Sequence, residues 1–219
     1  IDITAGGKLT VASVKAKEAT ETADGSASGA EVGVAAAAAV NAVNAINVAS
    51  LGTSSANAAS YSANGVDVTA LKAAGTDPAH VDAIEADAKA GAGGGKVGIA
   101  GALALNLLND TTTAEIFGHA SVDAGTGDSR IAADQEMRAT GTAKPSGDTA
   151  GGKLGIGASV ALNLVTSAVT AEIADGATFG HGAGLDVDAS TKIGTTTEAE
   201  AGAAGGVAID AVVALATLD

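Results

Sequence analysis

The 219-residue chain contains no cysteine, no tryptophan and very few other aromatic side chains. The absence of cysteine excludes disulfide bonds, thiol nucleophiles and thiolate metal sites. Two Phe, one Tyr and one Met are too few to fill an irregular interior or to line a pocket, as a globular enzyme of this length normally does. The composition therefore predicts a protein that is not an enzyme.

Basic residues are also scarce, because only 11 stand against 25 acidic residues, which gives a net charge of −14. This balance disfavours nucleic acid as a partner, since phosphate binding needs a basic surface. Hydrophobic residues nevertheless make up 47% of the chain, mostly as alanine and valine, and 31 glycines accompany them. Such small side chains favour a thin, regular interior in which backbones approach closely.

Two apolar segments, near 32–48 and 154–173, are long enough to raise the question of a membrane span. Both carry polar residues such as Asn41 and Glu172, so we expect no spanning helix. The chain starts at Ile1, already inside a strand-like pattern and without a signal region. We therefore expect it to be a fragment of a longer protein.

Four degenerate copies of one motif run through the chain, and their starts are separated by 65, 57 and 53 residues. The copies have their cores near 32–48, 97–109, 154–173 and 207–218. A recurrence of this kind is typical of stacked repeat architectures. The sequence predicts a single repetitive domain over 1–219 with a repeat of about 57 residues.

The longest interval between copies contains extra residues around Asp77 and Pro78. Asp77 is a suitable helix cap, and Pro78 suits a first helical position. One helical face would be shared by Val81, Ile84 and Ala88. We predict a helical insertion over 77–90, with its helix near 78–90, because a repeat array accommodates an extra element as a loop on one side.

Branched and small residues alternate within each repeat core. In the second copy the branched set is Val97, Ile99, Leu103, Leu105 and Leu107, and the small set is Gly98, Ala100, Ala102, Ala104 and Asn106. This two-residue period is that of a β-strand. An alanine-rich helix stays an alternative around 35–39. We expect the branched set to form the core, and the small set either to lie against another layer or to form a flat exterior.

The fold class that follows is mainly β, either a parallel β-solenoid or a stacked array of long strands. The sequence leaves a three-faced solenoid and a two-layer stack both open. Asn41, Asn106 and Asn163 occupy equivalent positions in three copies. They form a hydrogen-bonded amide ladder if the copies stack in register, or else each marks a strand end or turn.

The candidate metal ligands are carboxylates in turn-rich segments, where hard oxygen donors suit calcium. They are Asp123, Asp128, Asp175, Asp186 and Asp188. No EF-hand loop or glycine-rich calcium nonapeptide surrounds them. The only other candidates are His119 and His181, in two identical Phe-Gly-His tripeptides, which form either a stacked metal-binding or pH-sensing pair or two corners of the chain. No cofactor other than calcium is expected.

Three segments carry a resemblance to a known class of proteins: GGKLGIGASVALNLV (151–165), AEIADGA (171–177) and LDVDAS (185–190). Their combination resembles the repeat region of large secreted bacterial exoproteins of the filamentous-haemagglutinin, leukotoxin and giant-adhesin type. The resemblance implies a secreted or cell-surface β-solenoid stalk. It also implies self-association or stacking on neighbouring repeats of the same polypeptide, with any host or surface receptor bound through other regions.

The function expected from these observations is a non-catalytic stalk or fibre segment of an extracellular adhesin or exotoxin. One alternative is a calcium-stiffened solenoid, or a surface-binding or ice-binding one, for which the threonine runs 111–113 and 195–197 are the support. A polysaccharide-acting β-helix enzyme is a further alternative, but it needs aromatic sugar platforms that one tyrosine does not provide.

Overall fold

The structure is a computed structural model, and it describes residues 1–53, 58–72, 82–146 and 149–219. All regular secondary structure in these residues is β-strand, and every pairing between strands is parallel. The predicted fold class, a mainly β protein of parallel solenoid type, is confirmed. The chain winds through four coils, and the coils stack to form three parallel sheets.

Sheet A is narrow and receives one short strand from each coil. Its strands are β1 (Asp2–Thr4), β5 (Ala59–Ser62), β9 (Ala120–Asp123) and β13 (Thr178–Gly180). Sheet B is much longer. Its strands are β2 (Leu9–Lys15), β3 (Glu18–Gly29), β6 (Val66–Lys72), β7 (Asp82–Gly94), β10 (Ser129–Pro145), β11 (Thr149–Gly151), β14 (Leu185–Ala199) and β15 (Ala203–Ala204).

Sheet C has one long strand from each coil. Its strands are β4 (Val32–Leu51), β8 (Val97–Ile116), β12 (Leu154–Ile173) and β16 (Val207–Leu218). The four strands pair without a shift, so equivalent residues of the four copies lie side by side; the first such row is Val32, Val97, Leu154 and Val207. A sequence motif that recurs once per coil therefore becomes a row of neighbours across the sheet.

Sheets B and C pack face to face, and the interior between them is wedge-shaped. At the wide end sheet A closes the coil as a short third side, and the core there includes Tyr61, Val68, Ile116 and Ile131. At the narrow end the chain turns from sheet B directly into sheet C, and the buried hydrophobic residues of the cluster there are all alanines. The fold therefore combines the two architectures that the sequence left open, with two broad layers and a third face at one end only.

The expectation about which side of sheet C is buried was wrong. The small residues face sheet B, with Ala104 fully buried, whereas branched residues such as Val34 point outward and are 60% exposed. The reason is the close approach of the two sheets. A Cβ added to Gly33 would lie 2.2 Å from the carbonyl oxygen of Gly93, which leaves no room for a branched side chain at that position.

The predicted helix near 78–90 was also wrong for all of its described part, because Asp82–Gly94 is the strand β7. The remaining residues of the 77–90 insertion, 77–81, lie outside the described residues. In β7 the side chains at 84, 86, 88, 90 and 92 are buried in alternation with more exposed ones, and β7 pairs with β3 and β10 on either side. Hydrogen bonds from two neighbouring coils override the local helix preference of this alanine-rich segment.

Candidate interaction face

The outward side of sheet C forms a continuous apolar surface over its first eleven or so residue positions, counted from the turn at the narrow end. In β8 the outward residues are Val97, Ile99, Gly101, Leu103, Leu105 and Leu107. Their neighbours in 32–42, 154–164 and 207–217 are apolar at every outward position except Thr217. We call this surface the apolar face. Ile209, in the last coil, is 50% exposed on it.

A shallow groove crosses the apolar face at right angles to the strands. It follows a row of small residues, namely Ala36, Gly101, Ala158 and Ala211, which are neighbours in register. The open volume above the row is about 470 Å³ and reaches Leu103 and Val160 on one side. The groove exists because every strand carries alanine or glycine at the same outward position.

Polar residues border the apolar face toward the wide end of the wedge. Asn44, Asn109 and Thr166 form the first polar row, and Glu115 and Glu172 are paired neighbours near the end of β8 and β12. Partial burial, and then the charge of Glu172, raise the pKa of the Glu115 carboxyl. At the wide end, the acidic pair Glu115 and Glu172 therefore lies beyond the first polar row and away from the apolar rows.

The outer side of sheet B is charged, in contrast to that of sheet C. Glu136 in β10 is bridged by Lys72 from the preceding coil and by Lys192 from the following coil. Hydrogen bonds from these two ammonium groups lower the pKa of Glu136 to about 2. Ion pairs between coils thus run along the stacking direction on one side of the solenoid, while the other side is apolar.

Asn41, Asn106 and Asn163 form a hydrogen-bonded amide ladder in the interior, which is the first of the two alternatives that the sequence left open. The side-chain amide of Asn41 donates to Oδ1 of Asn106 at 3.1 Å, and that of Asn106 donates to Oδ1 of Asn163 at 2.8 Å. The amides of Asn106 and Asn163 also donate to the backbone oxygens of Thr140 and Thr196, each at 2.7 Å. The ladder therefore links neighbouring coils and also ties sheet C to sheet B.

A second buried polar group lies where the strands β2 and β7 approach β8. The ammonium of Lys15 contacts Asp82 Oδ2 at 3.0 Å and also bonds Asp110. Burial, and next the neighbouring carboxyl group of Asp110, raise the pKa of Asp82 to about 6. Among the described residues, Oδ1 of Asp82 and Oδ2 of Asp110 have no hydrogen-bond partner. Sequence reasoning missed this cluster, because its members are far apart in the chain.

The five candidate calcium ligands are spread over several elements. Asp123 ends β9, and its Oδ1 accepts a hydrogen bond from the Gly125 amide at 3.0 Å. Asp186 and Asp188 are exposed on β14, and Asp186 faces the guanidinium of Arg130 at 3.6 Å. Asp128 and Asp175 lie in loops. The described part of the chain contains no group of three acidic or histidine side chains that could hold a metal ion, so the calcium site stays a prediction.

The two histidines occupy corners that are not equivalent. His119 precedes β9, whereas His181 follows β13, and both have a positive φ, at 63° and 59°. Because β13 pairs with β9 so that Gly180 neighbours Asp123, the two rings are not stacked. His181 Nδ1 instead lies 3.1 Å from Asp123 Oδ1 at the surface. The identical tripeptides therefore do not form a paired site.

The threonine runs do not form an array either. In 111–113 the middle residue, Thr112, is buried and only its two neighbours point outward on sheet C. In 195–197 the middle residue, Thr196, is the outward one, on sheet B. The two runs thus lie on different faces of the solenoid, whereas a lattice-matching surface needs them on one face.

Comparison with known proteins gives no relative, because no family model, no curated protein and no solved structure matches the chain. No helix of the described residues is long and apolar enough to cross a lipid bilayer. The apolar face is therefore assigned from its geometry alone. The alternation of large and small residues separates the two sides of sheet C in the sequence, but it does not say which side is buried.

Proposed function

We propose that this chain is a non-catalytic structural segment, a stack of solenoid coils that gives length to an extracellular bacterial adhesin or exotoxin. The observation that carries the proposal is the in-register stacking of all four coils, in which each coil pairs with the next through its backbone. In the last coil Val212 faces the interior side of sheet C and is 47% exposed, so a coil of another copy can lie against it.

In-register pairing of this kind can be repeated from coil to coil. Each added coil lengthens a solenoid by about 4.8 Å, the spacing of neighbouring strands. The amide ladder and the Lys72–Glu136–Lys192 ion pairs both run in this direction, so every coil is bonded to the next by side chains as well as by its backbone. A stack cross-linked in this way resists bending and local opening, as a stalk requires.

The extracellular location and the adhesin or exotoxin context rest on the resemblance of the repeat motifs. The acidic excess supports them, since a net charge of −14 keeps a repetitive β protein soluble by mutual repulsion. The polar outer side of sheet B is consistent with exposure to water along the whole stack.

The test is end-to-end assembly of the purified chain. We expect concentrated protein to form filaments whose fibre diffraction has a reflection near 4.8 Å along the filament axis. Val212→Lys places a charge on the uncovered interior side of the last coil and should abolish the filaments. Thr196→Lys adds the same charge to the exposed outer side of sheet B in the last coil, so it is the matched control and should retain them. Filaments that survive Val212→Lys, or no filaments at all, would contradict the stacking proposal.

A further inference from the structure

The apolar face is unusual because it lies on a parallel sheet. Parallel sheets are almost always covered on both sides, and exposed apolar patches on monomers rarely exceed about 600 Å². Sheet C is covered by sheet B on its inner side only, and Val34 and Ile209 are at least half exposed on the other side. A stalk needs no such surface, so the face calls for a function beyond the proposed one.

We propose that the apolar face binds the same face of a second copy of this chain, so that two solenoids pair side by side with parallel stacking axes. The partner of the site is therefore another molecule of the same protein, and the interface is isologous.

The size of the face matches what a stable pair needs. Eleven residues at about 3.3 Å per residue and four strands at about 4.8 Å give a patch of about 36 by 19 Å. Covering it in both copies removes about 1,400 Å² of surface from water, within the range of about 1,200 to 2,000 Å² that is typical of specific interfaces. The face is thus large enough for a pair of molecules.

The relief of the face is complementary to itself. The groove row at Gly101 and the ridge row at Leu105 lie on either side of the Leu103 row, two residues away in each direction. A two-fold axis along the Leu103 row, parallel to the stacking axis, places each ridge row opposite the other copy's groove row. Leu105 of one copy then enters the space above Gly101 of the other, as two packed sheets interdigitate.

The charge distribution favours a second copy over a lipid surface. A chain with a net charge of −14 is repelled by the anionic headgroups of bacterial membranes. In the pair, the rows that face each other are uncharged, and the Glu115–Glu172 row lies beyond the overlap, because it is six rows away from the axis along β8. Pairing therefore covers the apolar rows without opposing like charges.

The experiment measures the oligomeric state by sedimentation equilibrium in the Val212→Lys background, where end-to-end assembly is suppressed. We expect dimers between about 1 and 100 µM. Gly101→Leu fills the groove, and the chain itself has room for the side chain, because the nearest atom to an added Cβ is the Ala158 oxygen at 3.9 Å. We expect this variant to weaken the dimer by at least about tenfold while its urea midpoint stays unchanged.

A compensating substitution makes the test specific. Adding Leu105→Ala to Gly101→Leu exchanges ridge and groove and should restore dimerisation to within about threefold of the parent. Thr140→Leu adds the same side chain to the outer side of sheet B and should leave the dimer unchanged. Restoration by the double variant would not be seen if the face merely adsorbed to any hydrophobic surface.

Three results would overturn the pairing: a monomer throughout the concentration range, a dimer that Gly101→Leu does not weaken, or a monomer that binds phosphatidylcholine vesicles through this face. The first of these, together with filaments from the Thr196→Lys chain, would refute the pairing and leave the stalk proposal standing. A dimer without any filaments would refute the stalk proposal and leave the pairing standing.

Discussion

The amide ladder gives the sharpest test of the interior. We predict that Asn106→Ala strongly destabilises the chain, because Asn106 is the middle rung and is fully buried. Its amide donates to the Thr140 oxygen and to Asn163 Oδ1, and its own Oδ1 accepts from Asn41. Alanine removes all three hydrogen bonds but leaves their partners buried.

The size of the effect follows from these partners. A hydrogen bond contributes about 1 kcal/mol net, and a buried polar group that loses its partner costs about 1 to 3 kcal/mol. Asn41 keeps its bond to the Glu85 backbone oxygen, so the principal losses are at Asn163 Oδ1 and the Thr140 oxygen. We therefore expect the free energy of unfolding to fall by about 3 to 5 kcal/mol, including a small cavity term.

The assay is urea unfolding followed by far-UV circular dichroism, with Asn109→Ala as the matched control. Asn109 is the same residue type on the same strand, three positions on, but it points outward and is exposed. Its replacement should change the free energy of unfolding by less than about 0.5 kcal/mol. Equal losses in the two variants, or a loss below about 1 kcal/mol for Asn106→Ala, would show that the ladder does not stabilise the interior.

Two further predictions concern the buried carboxyl and the glycines of β8. Because the folded-state pKa of Asp82 is raised to about 6, the folded chain binds more protons than the unfolded chain above pH 4, so stability from this group declines as pH rises toward 6. Between pH 4.5 and 7 the free energy of unfolding should decline by about 2 kcal/mol. Asp82→Asn should remove that part of the pH dependence in thermal unfolding scans. The same pH dependence in the variant would contradict the raised pKa of Asp82. Gly98→Ala should lower the melting temperature, because its Cβ would lie 2.7 Å from the Ala150 oxygen. Gly101→Ala, on the outward side, should leave the melting temperature unchanged or raise it. Equal effects of the two substitutions would contradict the close approach of the two sheets.

The helix prediction failed for an identifiable reason. Local signals around Asp77, and a weak 3.6-residue spacing through Ile84 and Ala88, favoured a helix. The same residues also fit a two-residue period from 84 to 92, and that period continues the alternation of the neighbouring coils. A single-sequence reading weighs local propensity first, whereas in the folded chain β7 gains a full set of backbone partners from β3 and β10.

The amide ladder could be predicted from the sequence, whereas the buried cluster of Lys15, Asp82 and Asp110 could not. The ladder was foreseen as an alternative because Asn41, Asn106 and Asn163 recur at equivalent positions, and recurrence becomes proximity in a parallel in-register stack. The contact between Lys15, Asp82 and Asp110 follows no repeat. It depends on how sheet B and sheet C approach each other within a coil, and spacing along the chain carries no information about that approach.

The sequence by itself determined the long strands of sheet C and the stacking of their copies, because a two-residue alternation specifies a strand and a motif that recurs once per coil specifies its neighbours. Only the tertiary structure decided which face of sheet C is inside. Alternation separates large from small residues but is symmetric between the two sides. The distance between sheets B and C breaks that symmetry, since the carbonyl oxygens opposite Gly33 and Gly98 lie too close for any larger side chain. Hydrophobicity alone would have buried the leucines, and backbone proximity places them on the surface.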